Sequence, residues 1–241
     1  GLDTITYKDS TLGVKINLEN SAQGGIAASV AVGDGTDTLV LIENVVGSNS
    51  PDTIYGNSGA NVLSGLSEKD SIYGMAGIDT IHGDGDDDTI DGGADNDFIY
   101  GDAGNDLILA NAGNDYIDGG ADIDMVDYSS ITSALNVTLL DNGAAVTVNI
   151  DGTDTLVNIE ALSGSTVGDS IVGNNQNNTL YGNAGNDTLK GVSGTNILSG
   201  GADNDRIFSG SGNDTIDGGT GIDWVDYTSA TGGVNVNLRT S

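Results

Sequence analysis

The sequence predicts an all-β chain of two parallel β-rolls, joined and capped by β-rich linker modules. Three observations carry this expectation. From Gly47 to Gly119 every ninth residue is glycine except Ala110, and an aspartate or asparagine follows five places after each; the register recurs from Gly164 to Gly218, lapsing only at Ser209. Each copy, such as GDAGNDLIL from Gly101, has six residues rich in glycine, aspartate and asparagine, followed by three centred on an aliphatic side chain. The first six accept positive φ cheaply and so turn, whereas the last three form a short strand with one buried face. Such a strand cannot stand alone, so copies must stack, two to a coil of eighteen residues.

Along the chain, residues 1–46 read as a linker or cap, 47–127 as a first roll of nine copies and 128–163 as a second linker. Residues 164–226 read as a second roll of seven copies, and 227–241 as the start of a further linker. The first roll's core is the file Ile54, Leu63, Ile72, Ile81, Ile90, Ile99, Ile108, Ile117 and Val126. The linkers repeat as well. Asp3-Thr-Ile-Thr-Tyr7 leads into an alternating stretch at 13–18, Asp124-Met-Val-Asp-Tyr128 into one at 135–139, and Asp223-Trp-Val-Asp-Tyr227 into one at 234–238. Alternation makes these strands. Twice the chain returns through a GTDTLV phrase ending at Glu43 or Glu160. These linkers are expected to pack on the roll ends and close strand edges. Tyr7, Tyr128, Tyr227 and Trp224 are expected to pack in the caps. Glu43 and Glu160 are expected to make a backbone contact or hold a structural ion. The chain reads as a segment of a longer tandem array.

Stacking poses an electrostatic problem. Asp52, Asp70, Asp88, Asp106 and Asp124 form one column, and Asn61, Asp79, Asp97 and Asp115 the other. Two carboxylates about 5 Å apart repel by roughly 0.8 kcal/mol in water and roughly 3 kcal/mol at an effective dielectric near 20. Six lysines and arginines cannot neutralise thirty-six acids, and the formal charge is -30. A divalent cation between turns can, and an all-oxygen, bent, carbonyl-rich cage suits Ca2+ over zinc, copper or magnesium. The second roll offers Asp169, Asn178, Asp187, Asn196, Asp205, Asp214 and Asp223 in matching places. With no cysteine there are no disulfides to share the task. The same charge argues against nucleic acid, whose phosphates need basic patches, and no stretch of about eighteen apolar residues suits membrane insertion.

The copies GDAGNDLIL at Gly101, GNAGNDTLK at Gly182 and SGSGNDTID at Ser209 resemble the haemolysin-type, or RTX, calcium-binding nonapeptide repeat, over about 144 of 241 residues. The pattern G-G-x-G-x-D-x-U-x, with U aliphatic, is a known β-helix signature. The resemblance implies right-handed rolls with several Ca2+ ions between turns, held by sixth-position side chains and turn carbonyls. Carried over, the ligands are the sixth-position residues named above, and the turns include the fourth-position glycines Gly77, Gly104, Gly113, Gly185 and Gly212. Asn61, Asn178 and Asn196 offer one neutral oxygen and should bind less tightly. At the fourth position Asp86, Asp95, Asp122 and Asp203 tolerate the left-handed region, but Glu68, Val167 and Gln176 tolerate it poorly. Distorted turns are expected there. Acids elsewhere, such as Asp84, Asp87, Asp91, Asp102, Asp118 and Asp217, read mostly as surface charge, with Asp91, Asp127 and Asp226 candidates to help bind ions at the roll edges.

The resemblance also implies export of an unfolded chain by a bacterial type I system and folding on calcium outside the cell. His82 reads as a surface histidine, and neither an H-E-x-x-H motif nor a nucleophile elbow is present. The expected function is therefore non-catalytic: a calcium-rigidified module of a secreted or cell-surface adhesin, surface-layer or filament protein. Its expected partners are calcium, neighbouring copies of itself and cell-surface components. The alternative is the export and folding appendage of a secreted enzyme such as a serralysin-type protease, lipase or epimerase.

Overall fold

The computed structural model describes residues 1–18, 28–32, 35–39, 41–109, 111–141, 146–149 and 152–229. Ala110 and the expected strand at 234–238 lie outside the described residues. Among the described residues, the regular structure is all strand, with no α-helix.

The three-residue strands form and stack with the expected period. Ser71–Tyr73, Thr89–Asp91 and Leu107–Leu109 pair in parallel, with Ile90 opposite Ile72 on one side and Ile108 on the other. Alternate copies go to the opposite face, where Thr80–Gly85, Phe98–Ala103 and Tyr116–Ala121 pair with the same offset of eighteen residues. The result is a parallel β-solenoid. Between its faces runs the aliphatic file from Ile54 to Val126, every member at most 1% exposed, and Leu162, Ile171, Leu180, Leu189, Leu198 and Ile207 continue it. Full burial of each such side chain contributes about 1.5–3 kcal/mol.

One face is continuous. A twelve-stranded sheet runs from Gly35–Leu39 through Thr53–Tyr55 and Met125–Asp127, then through Ala161–Ser163 to Thr215–Thr220, and so passes through both repeat blocks. The other face is two sheets. Eight strands run from Thr4–Thr6 to Tyr116–Ala121, Thr153–Val157 and Val146–Asn149; five run from Asn136–Thr138 to Trp224–Asp226. The solenoid therefore carries on past residues 128–160 on one side while the opposite side starts afresh.

The repeated linker phrases have repeated structural roles. Lys15–Asn17 pairs in parallel with Thr53–Tyr55, and Asn136–Thr138 with Ser170–Val172. Thr4–Thr6 likewise pairs with Asn44–Val46, and Met125–Asp127 with Ala161–Ser163. The Tyr7 and Tyr128 amides each donate to the carbonyl of the last residue in that pairing, Val46 at 2.9 Å and Ser163 at 3.0 Å. Antiparallel strands cover two sheet edges: Ala28–Val32 with Gly35–Leu39, and Val146–Asn149 on Thr153–Val157. Tyr128 is fully buried, and Tyr7 and Tyr227 are partly so. Trp224 departs from the expectation. It is 64% exposed, because Val225 takes the inward place in its strand, and its ring faces the Arg206 guanidinium at 5.1 Å.

Truncation in the file should be costly because the neighbouring coils cannot collapse inward. Ile90→Ala is expected to lower stability by about 2–5 kcal/mol in saturating calcium. Val62→Ala, at a strand position 46% exposed, should cost about 1 kcal/mol or less. Denaturant unfolding of both variants measures the difference.

Candidate metal centre

Sixth-position side chains from Asp52 to Asp205 are buried, at 0–5% exposure. Their first oxygens form a ladder along each edge of the solenoid. The Asp52 amide donates to Oδ1 of Asp70 at 2.7 Å, that of Asp70 to Asp88 at 2.8 Å, that of Asp88 to Asp106 at 2.8 Å and that of Asp106 to Asp124 at 3.0 Å. On the other edge Asn61 donates to Asp79, Asp79 to Asp97 and Asp97 to Asp115, at 2.7–2.9 Å. In the second block Asp169, Asp187, Asp205 and Asp223 form the same series, at 2.7–3.1 Å.

The ladders extend past the repeat frame. The Asp124 amide donates to Glu160 Oε2 at 3.1 Å, and the Asp3 amide to Glu43 Oε2 at 2.9 Å. Both glutamates thus make the backbone contact expected of them. The Asp115 amide donates to Asp154 Oδ1 at 3.0 Å, and the Tyr128 hydroxyl to Asp154 Oδ2 at 3.1 Å. Sequence reasoning missed Asp154; its signal was the repeated GTDT phrase, which puts an aspartate ahead of each returning glutamate.

The second oxygens are different. Oδ2 of Asp70, Asp79, Asp88, Asp97, Asp106, Asp124, Asp187 and Asp205 is buried with no hydrogen-bond partner. A buried, unpaired carboxylate oxygen is costly, and buried charges are paired or coordinate metals. Burial pushes these carboxyls up, against the pull of the backbone amide and with help from neighbouring acids. Asp79 and Asp88 rise to about 8, and Asp70, Asp97, Asp124 and Asp187 to about 7. Asp115 rises to about 6. A hard divalent cation removes this penalty, and the donor set, carboxylate oxygens in bent glycine-rich turns, fits Ca2+.

The glycines serve two separate needs. First-position glycines such as Gly65, Gly83 and Gly101 are outside the left-handed region. A Cβ there would fall on Oδ2 of Asp70, Asp88 or Asp106, and on the carbonyl of the glycine one coil later. They are glycine because the carboxylate occupies their side-chain space, a reason the sequence reading, which gave them the curve, did not contain. The curve is made at the second and fourth positions, and at the fourth it falls on glycines and acids alike. Gly77, Gly104, Gly185 and Gly212 have φ of 102°, 141°, 112° and 134°, and Glu68, Asp86, Asp95, Asp122 and Asp203 lie at 70–80°. Gly113 is not left-handed; the Asp95 carbonyl and Asp115 Oδ1 crowd its Cβ position. Val167 and Gln176 also stay outside the left-handed region.

The remaining candidates fall apart from this group. Asp214 and Asp223 are only partly buried. Asn61, Asn178 and Asn196 are buried, and their Nδ2 atoms donate to the carbonyls of Glu43 at 2.7 Å, Glu160 at 3.4 Å and Ser193 at 3.1 Å. Asp52 and Asp169 accept the Ser48 and Ser165 amides on Oδ2, both at 2.6 Å. Several outer acids are partnered across turns. Asp87 meets Lys69 at 2.6 Å, Asp84 accepts the Ser64 hydroxyl at 2.6 Å, and Asp118 accepts from Asn158 at 2.8 Å. His82 is half-buried, stacked on Tyr100 at 4.7 Å and 2.8 Å from Asp102 Oδ2.

Two outcomes follow from this geometry. Below about pH 4 the raised carboxyls are protonated folded or unfolded; as pH rises toward 7–8 only the metal-free fold must keep their protons or carry unpaired charge, so it loses stability. Circular dichroism in chelator should show more β-structure at pH 5 than at pH 8, with the order reversed in calcium, whose binding must release protons. Gly101→Ala should lower calcium affinity by about tenfold or more in a calorimetric titration, because the Cβ displaces the Asp106 carboxylate. Gly85→Ala, where the nearest atom to a Cβ is a carbonyl oxygen 3.4 Å away, should bind as the parent does.

The family model for the RTX calcium-binding nonapeptide repeat (4 copies) matches residues 42–72, 64–99, 91–126, 163–198 and 190–225, which include every sixth-position residue from Asp52 to Asp223. No curated protein matches the chain. Among solved structures, the extracellular lipase LipA from Serratia marcescens matches at 15% identity over 74% of this chain, with a TM-score of 0.24. The match covers 37% of the lipase chain. With the repeat model matching well over half of its residues, the chain belongs to the RTX calcium-binding nonapeptide-repeat family, and its repeats bind Ca2+.

Proposed function

We propose that this chain is a non-catalytic, calcium-rigidified structural module of a secreted or cell-surface bacterial protein, of the adhesin, surface-layer or filament kind. The observation that carries the reading is the set of eight buried carboxylate oxygens without partners. They flank a core one side chain wide, so the metal is the component that completes the fold. The ligands proposed are Asp70, Asp79, Asp88, Asp97, Asp106, Asp124, Asp187 and Asp205, together with carbonyls of the left-handed turns.

Because the site does not exist in the unfolded chain, the free energy of binding is free energy of folding. Extracellular calcium modules have dissociation constants of about 10⁻⁴ to 10⁻³ M, so the chain stays unfolded at cytosolic calcium and folds after export. The shared twelve-stranded sheet and the antiparallel strands on sheet edges support a stiff structural role, with neighbouring copies or cell-surface components as partners. Among the described residues no helix is long and apolar enough to cross a membrane.

Calcium titration followed by circular dichroism tests the reading. A chain largely disordered in chelator at pH 7.5 and β-rich above about 1 mM calcium is expected; a β-rich chelated chain would sink it. Within the fold, Asp88→Ala removes the acceptor for the Asp70 amide. Hydrogen exchange at limiting calcium should then rise around Asp70 and Asp106 more than around Asp79 and Asp97.

A further inference from the structure

Turns with an acid at the sixth position are not all alike. In the turn Gly47 to Asp52, Asp52 Oδ2 accepts the Ser48 amide at 2.6 Å, while Oδ1 accepts the Ser48 hydroxyl at 2.8 Å and the Val14 amide at 2.7 Å. In the turn Gly164 to Asp169 the set is reproduced: the Ser165 amide at 2.6 Å, the Ser165 hydroxyl at 2.8 Å and the Leu135 amide at 2.7 Å. Neither carboxylate keeps an orphaned oxygen. The next turn of each block closes similarly, with an amide in place of the acid. The Asn57 amide donates to Asn61 Oδ1 and the Asn174 amide to Asn178 Oδ1, both at 2.8 Å.

The second residue of the turn separates the classes. In these four turns its side chain also accepts the amide of the fourth residue: Ser50 on Ser48, Gly59 on Asn57, Val167 on Ser165 and Gln176 on Asn174, at 2.8–3.3 Å. That side-chain turn replaces a left-handed one, which is why Val167 and Gln176 are tolerated. It also aims the second residue's amide at the sixth side chain. In the other turns that carry an orphaned oxygen the second residue is itself left-handed, as at Leu66 (84°), Met75 (83°), Asp84 (75°), Asp102 (71°) and Asn183 (74°), whereas in the turn ending at Asp115, which has none, Asn111 is not. The corresponding Oδ2 atoms of Asp70, Asp79, Asp88, Asp106 and Asp187 are orphaned.

We infer that the second turn residue decides which turns take calcium, and that Ser48, Asn57, Ser165 and Asn174 close the first turn on each edge of both blocks without metal. The inference rests on the calcium-binding reading and narrows it. Asp52 and Asp169 are structural acceptors, not ligands, and Asn61 and Asn178 are not weak sites but filled ones. Two of these four turns carry asparagine at the sixth place, as expected where a carboxylate charge is not needed. Each block thus begins on a pair of turns that hold their shape without an ion and present the first ladder acceptors to the calcium-dependent coils.

Native mass spectrometry at saturating calcium, with calorimetry for affinity, tests this on the whole chain. Asp52→Asn and Asp169→Asn should bind as many ions as the parent, with affinities within about twofold. Asp88→Asn should bind at least one fewer. Ser48→Gly with Ser50→Gly frees the turn to become left-handed and should gain an ion, an outcome that failed folding cannot mimic; an unchanged count there counts against the inference. Loss of ions from Asp52→Asn or Asp169→Asn equal to that from Asp88→Asn overturns it while leaving the calcium reading intact. A parent chain that binds no calcium overturns both.

Discussion

The structure depends on a single hydrogen bond repeated along both edges: within a block, the amide of a sixth-position residue donating to the side-chain oxygen of the sixth-position residue one coil on. This bond holds the acids in register at the spacing of parallel strands. It commits one carboxylate oxygen, such as Asp88 Oδ1, to the backbone. It then turns the other, Asp88 Oδ2, into the space over Gly83. The first-position glycine, the burial of the carboxylate and the demand for a cation all follow from that placement.

Periodic features were legible in the sequence because they have integral spacings. An offset of eighteen residues specifies which strands pair, which aliphatic side chains share the core and which acids share a column, and each of these follows Ile72, Ile90 and Ile108 or Asp70, Asp88 and Asp106 as written. A contribution from outside the frame was harder to see. Asp154 stands at a ladder position, yet 39 residues separate it from the amide it accepts. Trp224 stands outside its cap because alternation gives the inward position to Val225. The reason for glycine was also hidden, since close approach to a carboxylate and a left-handed turn select the same residue.

The core has little to spare. A file one side chain wide cannot offset the ordering of glycine-rich turns, whose backbone loses more freedom than any other on folding. Cation binding supplies what the apolar file lacks, and it does so turn by turn. This explains how blocks of nine and seven copies can coexist in one architecture: length changes the number of identical local terms and alters no long-range constraint.

The staggered faces have a mechanical consequence. In a solenoid the ladder hydrogen bonds lie along the axis, so a pull on the two ends loads successive coils in series, and the coil with the fewest bonds governs extension. Within the blocks two ladders, one per face, bridge each step. Among the described residues, Met125–Asp127 and Ala161–Ser163 are joined by the ladder of the twelve-stranded sheet, while on the opposite face the sheet ends at Val146–Asn149 and a new one starts at Asn136–Thr138. That step, with one ladder where the steps within the blocks have two, is the more compliant under tension, and further extension needs Thr153–Val157 to leave Tyr116–Ala121 and Asn136–Thr138 to leave Ser170–Val172.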